Sequence, residues 1–430
     1  VSTADGRDVS PLATIEVTVQ ERARRISLDL GQDDARTELR RLVEEEVRRW
    51  TEDHRRGLRP LPLHDPDMVA DRAFRNLAGY GPLEPLLADD DVWEIMVNDP
   101  ATIFVKRHRG PSGYHHESFH DDAHVQRVVG KILDDATTAH RKLDPAEGLQ
   151  DAQLDGGARM HIVHGDIARG GHLQVNIRKF TGVAYRSLAE LVEREMLTRQ
   201  AAAFLTAAVR AGLTVVVAGA PGSGKTTLMS CCASELDPSL RIVTAEEVFE
   251  CDVALPNVAS MQTRAARPDR PGVDLRRLVA GFLRMAPDVA VVGEVRDREA
   301  LPLLLTLSTG IQGFTTIHAA SARAALTRLR LVCQLSPDAN DLPVAAVTAL
   351  VSEAVDIVVH CARDAEGPRV TSVCAVEDQT SADGMTFTTT EVFGRACRGA
   401  ALRWTGDLPA RAGARLAESG IDLRHLLGAS

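Results

Sequence analysis

The stretch Thr214-Val215-Val216-Val217-Ala218-Gly219-Ala220-Pro221-Gly222-Ser223-Gly224-Lys225-Thr226-Thr227 decides the fold of this 430-residue chain. Its first five residues read as a buried strand, Gly219 to Thr226 is a complete G-x-x-x-x-G-K-T loop, and Thr226 to Leu236 reads as a helix. Glycines let backbone N–H groups curl around the β- and γ-phosphates of a nucleotide, and the helix N-terminus adds a favourable field. Lys225 supplies a point charge to the same phosphates, and the Thr226 hydroxyl reaches Mg2+. Gly219, Ala220, Pro221, Gly222, Ser223, Gly224, Lys225, Thr226 and Thr227 form the candidate nucleotide-binding set. ATP and Mg2+ are its expected ligands.

Three further apolar runs end in chemistry. Val289-Ala290-Val291-Val292-Gly293 leads to Glu294, the layout of a Walker B strand. An acid there can bind Mg2+ through water or polarise the attacking water. Arg241-Ile242-Val243-Thr244 leads to Glu246 and Glu247. Two acids beside a phosphate loop suit hydrolysis, because water is a poor nucleophile until it is oriented. Phe314-Thr315-Thr316-Ile317 leads to His318, a residue that would ordinarily cap or pack and gains interest only from its company. Candidate catalytic residues are Glu294, Glu246 and His318. Glu247 is a candidate to hold Mg2+ through water.

From Leu188 onward long helical segments alternate with short β-branched runs, which predicts a wound α/β domain with a largely parallel sheet over 186–430. Upstream, residues 67–182 mix helical segments with short strands such as Thr102–Lys106 and Leu173–Arg178, a mixed α/β domain. The segment from Arg109 to Gly113 has hairpin-turn chemistry. Residues 19–66 read as a helical segment and linker, with Leu39, Leu42, Val43, Val47 and Trp50 at helical spacing and a Pro-rich break from Arg55 to Pro66. Residues 1–18 are expected to be disordered.

The formal charge of −10 argues against a nucleic-acid groove as the main business, since phosphate binding is driven by clustered Lys and Arg. No run approaches the ~20 apolar residues that span a bilayer, and the polar first residues carry no export signal, so a cytoplasmic chain without a transmembrane segment is expected. Seven scattered cysteines fit reduced thiols. Cys231 and Cys232 read as small buried hydrophobes. His108, His115, His116, His120 and His124 crowd together without the spacing that zinc ligands prefer.

In their order, these motifs resemble the type II/IV secretion ATPases, most closely the CpaF/TadA-like branch that drives Tad/Flp-type pili. Gly79-Tyr80-Gly81-Pro82-Leu83-Glu84-Pro85-Leu86-Leu87 with Val92-Trp93-Glu94-Ile95-Met96-Val97-Asn98 resembles that family's N-terminal signature. Asp155-Gly156-Gly157-Ala158-Arg159 and Asn176-Ile177-Arg178-Lys179-Phe180 are similar to its interdomain arginine segments. Thr244-Ala245-Glu246-Glu247 resembles its Asp box, Gly293-Glu294-Val295-Arg296-Asp297 its Walker B end, and Thr316-Ile317-His318-Ala319 its His box. The resemblance implies a RecA-like P-loop ATPase domain behind a separate N-terminal domain, a homo-hexameric ring, and a place at the inner face of the membrane against a platform protein. It also implies that Arg159 and Arg178 close on the γ-phosphate as catalytic arginines, with Arg264 a weaker third candidate. Guanidinium groups suit that task because they stabilise phosphoryl charge as it develops.

The sequence departs from the family at three places. Glu247 stands where aspartate is usual, Ile311 replaces a histidine after Thr309-Gly310, and Ala320 replaces an asparagine. These changes bear on rate and on coupling between subunits. The leading expectation is a pilus-assembly or secretion motor. A conjugative type IV secretion ATPase shares the architecture, and a nucleotide-binding scaffold with little turnover is a third reading. A small-molecule kinase fits less well, since nothing resembles an acceptor pocket.

Overall fold

In a computed structural model, the described residues are 10–28, 34–107, 110–136, 142–179, 185–264, 266, 271–339, 341–364, 366–380, 384–397 and 399–428. Among the sequence expectations, residues 1–9, His108, Arg109, Phe180 and the segment around residue 182 lie outside them. The chain divides into two compact units, Val1–Gly182 and Val183–Ser430.

The first unit opens with three helices, α1 (Pro11–Arg25), α2 (Ala35–Arg55) and α3 (Pro66–Ala78). For residues 11–18, where disorder is expected, the chain is helical, because Leu12, Ile15 and Val19 recur at helical spacing and bury against Leu42, Val43, Trp50 and Phe74. The polar residues around them hid that stripe. This small core runs through Ala78, so α3 completes the helical segment that the sequence reading ended near residue 66.

After α4 (Glu84–Ala88) come β1 (Val92–Asp99), β2 (Thr102–Arg107), β3 (Gly113–Tyr114), α5 (Asp122–Asp135), β4 (Leu149–Gln153), β5 (Arg159–Val163) and β6 (Gln174–Arg178). The strands form an antiparallel sheet in the order β3-β2-β1-β6-β5-β4. Val125, Val128, Ile132 and Leu133 of α5 share a core with Ile95, Val97, Ile103 and Ile177 of the sheet. A polar cluster ties the helices to the segment between β3 and α5. Glu16 of α1 accepts from Asn76 Nδ2 of α3 at 2.7 Å and meets His120 Nε2 at 2.8 Å, and Arg75 pairs with the buried Glu117 at 2.7 Å.

The second unit begins with α6 (Leu188–Glu193), α7 (Arg199–Arg210), β7 (Val215–Gly219), α8 (Lys225–Ala233), β8 (Ile242–Glu246), β9 (Val258–Gln262) and α9 (Leu275–Ala280). It continues with β10 (Val289–Val292), α10 (Ala300–Leu307), β11 (Gln312–Ile317), α11 (Ala322–Gln334), α12 (Val344–Ala354) and β12 (Ile357–Asp364). Last come β13 (Gly367–Thr380), β14 (Phe387–Gly394), β15 (Arg403–Trp404), α13 (Ala410–Glu418) and α14 (Leu423–Gly428). The sheet order is β15-β14-β13-β12-β7-β11-β10-β8-β9. From β12 to β9 every pair is parallel, and β13 to β15 add an antiparallel extension that the sequence reading did not foresee.

Alternation sorts the central strands onto two cores. Val215, Val217, Val289, Val291 and Phe314 face α7 and α8 residues such as Phe204, Leu205, Leu228 and Cys232. Val216, Ala218, Ala290, Val292 and Ile317 face Leu301, Leu304, Leu326 and Val347 of α10 to α12. Burial on both faces is why these strands read as unbroken apolar runs. This is a RecA-like α/β domain, with its phosphate loop at the C-terminal end of β7 between β12 and β11. No helix among the described residues is long and apolar enough to cross a membrane.

Candidate active site

The loop from β7 to α8 is shaped by its glycines. Gly219 has φ +153 and lies so close to β12 that an added Cβ would sit 2.2 Å from the Cys361 carbonyl oxygen. Gly222 and Gly224 take left-handed φ values of +73 and +85. A loop with such turns aims successive N–H groups at one concave side, an anion-binding nest. Gly224 is also the N-cap of α8 and has no side chain to satisfy the first-turn N–H groups, which are left for a ligand. Ser223 Oγ closes the loop on Ala220 O at 2.8 Å, and Arg363 Nη1 of β12 donates to Gly222 O at 3.2 Å.

Lys225 is buried, with Nζ donating to Ala220 O at 3.0 Å and lying 3.3 Å from His318 Nδ1. His318 reaches the loop because β11 is the direct neighbour of β7. Its Nε2 lies 2.9 Å from Glu294 Oε1. Burial, the largest influence on the ring, pushes its pKa below the ordinary value despite the carboxylate beside it. Nδ1 also lies 3.2 Å from the Gly219 carbonyl oxygen, so the ring sits between that carbonyl, the Lys225 ammonium and the Glu294 carboxylate.

Glu294 follows β10 by two residues. Burial pushes its carboxyl upward, but hydrogen bonds from Arg296, with the charges of Arg296, His318 and Lys225, outweigh burial and hold it below the usual range. Arg296 Nε and Nη2 lie 2.6 and 2.9 Å from the two Glu294 oxygens, and its Nη1 lies 3.1 Å from Glu247 Oε2. Glu247 itself is exposed at the mouth of this arrangement.

Glu246 takes a different place. It is buried at the end of β8, where Oε2 accepts from Glu250 N at 2.8 Å and Cys251 N at 2.9 Å. An added Cβ on Gly293 would come within 2.9 Å of its Cγ, so that glycine makes room for the glutamate. Glu246 thereby fixes the turn that carries Glu247.

The structure thus brings Lys225, His318, Glu294 and Glu247 into one connected line beside the phosphate loop, with Thr226 half-buried at the start of α8. The donor set fits a triphosphate and a hard cation. A nest, a helix N-terminus and a lysine receive phosphate oxygens, while Thr226 and the carboxylates offer oxygen ligands of the kind Mg2+ takes. Arg159 and Arg178 belong to the first unit, where they are direct cross-strand partners of β5 and β6. Arg178 also stands opposite Glu94 of β1. Arg264 bridges to Val273 and donates from Nη2 to Pro271 O at 3.2 Å.

The family profile described as "Type II/IV secretion system protein" matches residues 76–398, most of the chain. The chain belongs to the type II/IV secretion system protein family. A putative conjugal transfer protein of Mycobacterium tuberculosis is 33% identical over 309 residues, covering 70% of this chain and 85% of that one. The type IV secretion system protein PtlH of Bordetella pertussis is 33% identical over 305 residues, covering 66% and 89%. The VirB11 ATPase of the Brucella suis type IV secretion system superposes over 68% of this chain and 94% of that one, at 26% identity and a TM-score of 0.36. Family membership rests on the sequence matches.

Two departures from the type II/IV pattern have a physical account. Ile311 packs partly buried against the core just before β11, at the end of that strand away from His318, where an apolar side chain gains from burial. Ala320 is exposed, just before the serine that caps α11. Sequence reasoning missed two arginines. Arg296 stands two residues after Glu294, a spacing that puts both on one side of an extended segment and was available as a signal. Arg363 had no local signal, because only the sheet order brings β12 beside the loop.

Proposed function

We propose that this chain is an ATP-hydrolysing motor subunit that powers secretion or pilus assembly at the cytoplasmic face of a membrane. The observation that carries this reading is the line from Lys225 through His318 to Glu294, which couples the phosphate loop to an ionised acid. Glu294 orients the attacking water, and Lys225 neutralises charge on the β- and γ-phosphates. Mg2+, when bound, would draw charge from the transferred phosphoryl group, held by the Thr226 hydroxyl and, through water, by Glu247. Arg159 and Arg178 are assigned to stabilising γ-phosphate charge during transfer, and Glu246 to holding the Glu247 turn in place.

The working form is a homo-hexamer docked on a membrane platform protein, without direct contact to nucleic acid. Within the family the quoted motifs favour the CpaF/TadA branch and a Tad/Flp-type pilus. The names of the matched relatives favour a second reading, a motor for conjugal transfer or type IV secretion.

Steady-state phosphate release by the full-length chain tests the ATPase reading. Turnover should need ATP and Mg2+ together and should vanish in Lys225→Ala. No turnover in the native chain, or an unimpaired Lys225→Ala variant, would overturn it.

A further inference from the structure

Arg296 holds more of the site than a surface cation would. Its guanidinium contacts both oxygens of Glu294, through Nε at 2.6 Å and Nη2 at 2.9 Å, and its remaining nitrogen reaches Glu247 at 3.1 Å. The backbone beneath it is fixed as well. The buried Glu299 accepts from Arg296 N at 2.5 Å and from Asp297 N at 2.8 Å, and Val295 between the two charged residues is sunk in the core. An isolated exposed ion pair is worth ~0–1 kcal/mol and holds no geometry. A fork that engages both oxygens of a mostly buried carboxylate fixes its orientation.

We propose that Arg296 is a positioning residue for hydrolysis: it holds the Glu294 carboxylate in a single orientation and ties it to Glu247. This inference rests on the ATPase reading above. Oε1 of Glu294 spends its two lone pairs on Arg296 Nε and His318 Nε2, whereas Oε2 meets Arg296 Nη2 and keeps a lone pair for the proton of a water. Oε2 is therefore the oxygen that orients the nucleophile. Facing Glu294 are the cations Arg296 and Lys225 and the imidazole of His318. The acids Glu247 and Glu250 act on Arg296 from its other side.

Loss of Arg296 leaves a mostly buried carboxylate without its nearest cation, so its pKa rises. The carboxylate also turns freely about its side-chain bonds. Both consequences are visible in kinetics. Full-length wild-type, Arg296→Ala and Arg296→Lys chains are compared for ATP hydrolysis with Mg2+ from pH 5 to 9, with a fluorescent ATP analogue reporting binding. In Arg296→Ala, kcat should fall on the order of 10- to 100-fold, KM should stay within about threefold, and the acid limb of kcat should move to higher pH. Arg296→Lys keeps the charge but not the fork, and should restore the acid limb with only part of the rate. Arg296 lies at the surface, so the melting temperature of both variants should stay close to that of the wild type.

A kcat profile of Arg296→Ala that superimposes on the wild type overturns the inference. So does a raised kcat, which would make Arg296 a latch that occludes the acids. A native chain that binds the analogue but hydrolyses nothing sinks the ATPase reading and this inference together. Native turnover with an unmoved Arg296→Ala profile sinks this inference alone.

Discussion

Nε2 of His318 lies 2.9 Å from Oε1 of Glu294, and through that contact the acid after β10 is joined to the lysine of the phosphate loop. Burial opposes charging of that histidine more than the carboxylate beside it favours it, so its pKa is pushed below the ordinary value. Glu294→Gln should keep nucleotide affinity while lowering kcat about 10²-fold or more, since an amide cannot polarise water as a carboxylate does. His318→Ala should lower kcat less, because Arg296 still holds Glu294. Paired kcat and nucleotide-affinity measurements check both. Loss of affinity in Glu294→Gln would make Glu294 mainly a metal or structural residue.

Arg159 and Arg178 face each other across β5 and β6, so one local substitution can be compared with the other at matched positions. Arg178→Ala in the full chain should reduce hydrolysis on the order of 10³-fold while light scattering shows the same assembly. A fragment of residues 186–430 should bind nucleotide and hydrolyse it poorly, for the same reason. Full-rate hydrolysis by that fragment would remove both arginines from the mechanism.

Asp356, just before β12, is buried beneath two cations. Its carboxylate pairs with Arg411 at 2.9 Å and Arg415 at 3.0 Å, and accepts from Thr214 N at 2.8 Å. It thus clamps α13 to the start of β7, far from the chemistry in sequence. Asp356→Ala should cost about 3–5 kcal/mol, because it removes the buried carboxylate that Arg411, Arg415 and Thr214 N share and leaves Arg411, among the described residues, only the exposed Asp378 as a counter-ion. Urea unfolding measures the loss directly. A midpoint unchanged from wild type would show that the clamp contributes nothing.

His124 of α5 is buried, and desolvation, with smaller contributions from Arg127 and His120, pushes its pKa down to about 3. In the unfolded chain the ring takes up a proton below pH 6.5, whereas in the folded chain it does so only near pH 3. Stability from this residue is therefore present above pH 6.5 and is lost as pH falls toward 3, by at most ~1.4 kcal/mol per pH unit. His124→Gln should flatten that slope of unfolding free energy against pH. Equal slopes in the two proteins would place the ring in water instead.

The sequence alone determined the parts whose signal is local. The phosphate loop, its strand and its helix lie within twenty residues, and the apolar runs before Glu246, Glu294 and His318 announced a parallel sheet because strands buried on both faces have little room for polar residues. The polar residues that follow the strands were legible too, since each apolar run stops at a residue that can carry charge.

What only the tertiary structure decided is which of those ends meet. Strand order puts β11 beside β7, and so His318 beside Lys225, although 93 residues separate them. The same order sets Glu246 into a buried turn and leaves Glu247 at the site mouth, a difference that two adjacent glutamates do not display in sequence. The helix α1 escaped notice because its three buried apolar residues gain their energy from α2 and α3, and a sparse stripe is silent without its partners. Hydrophobic period is written residue by residue, whereas charge pairing across a sheet exists only after the chain has chosen its strand order.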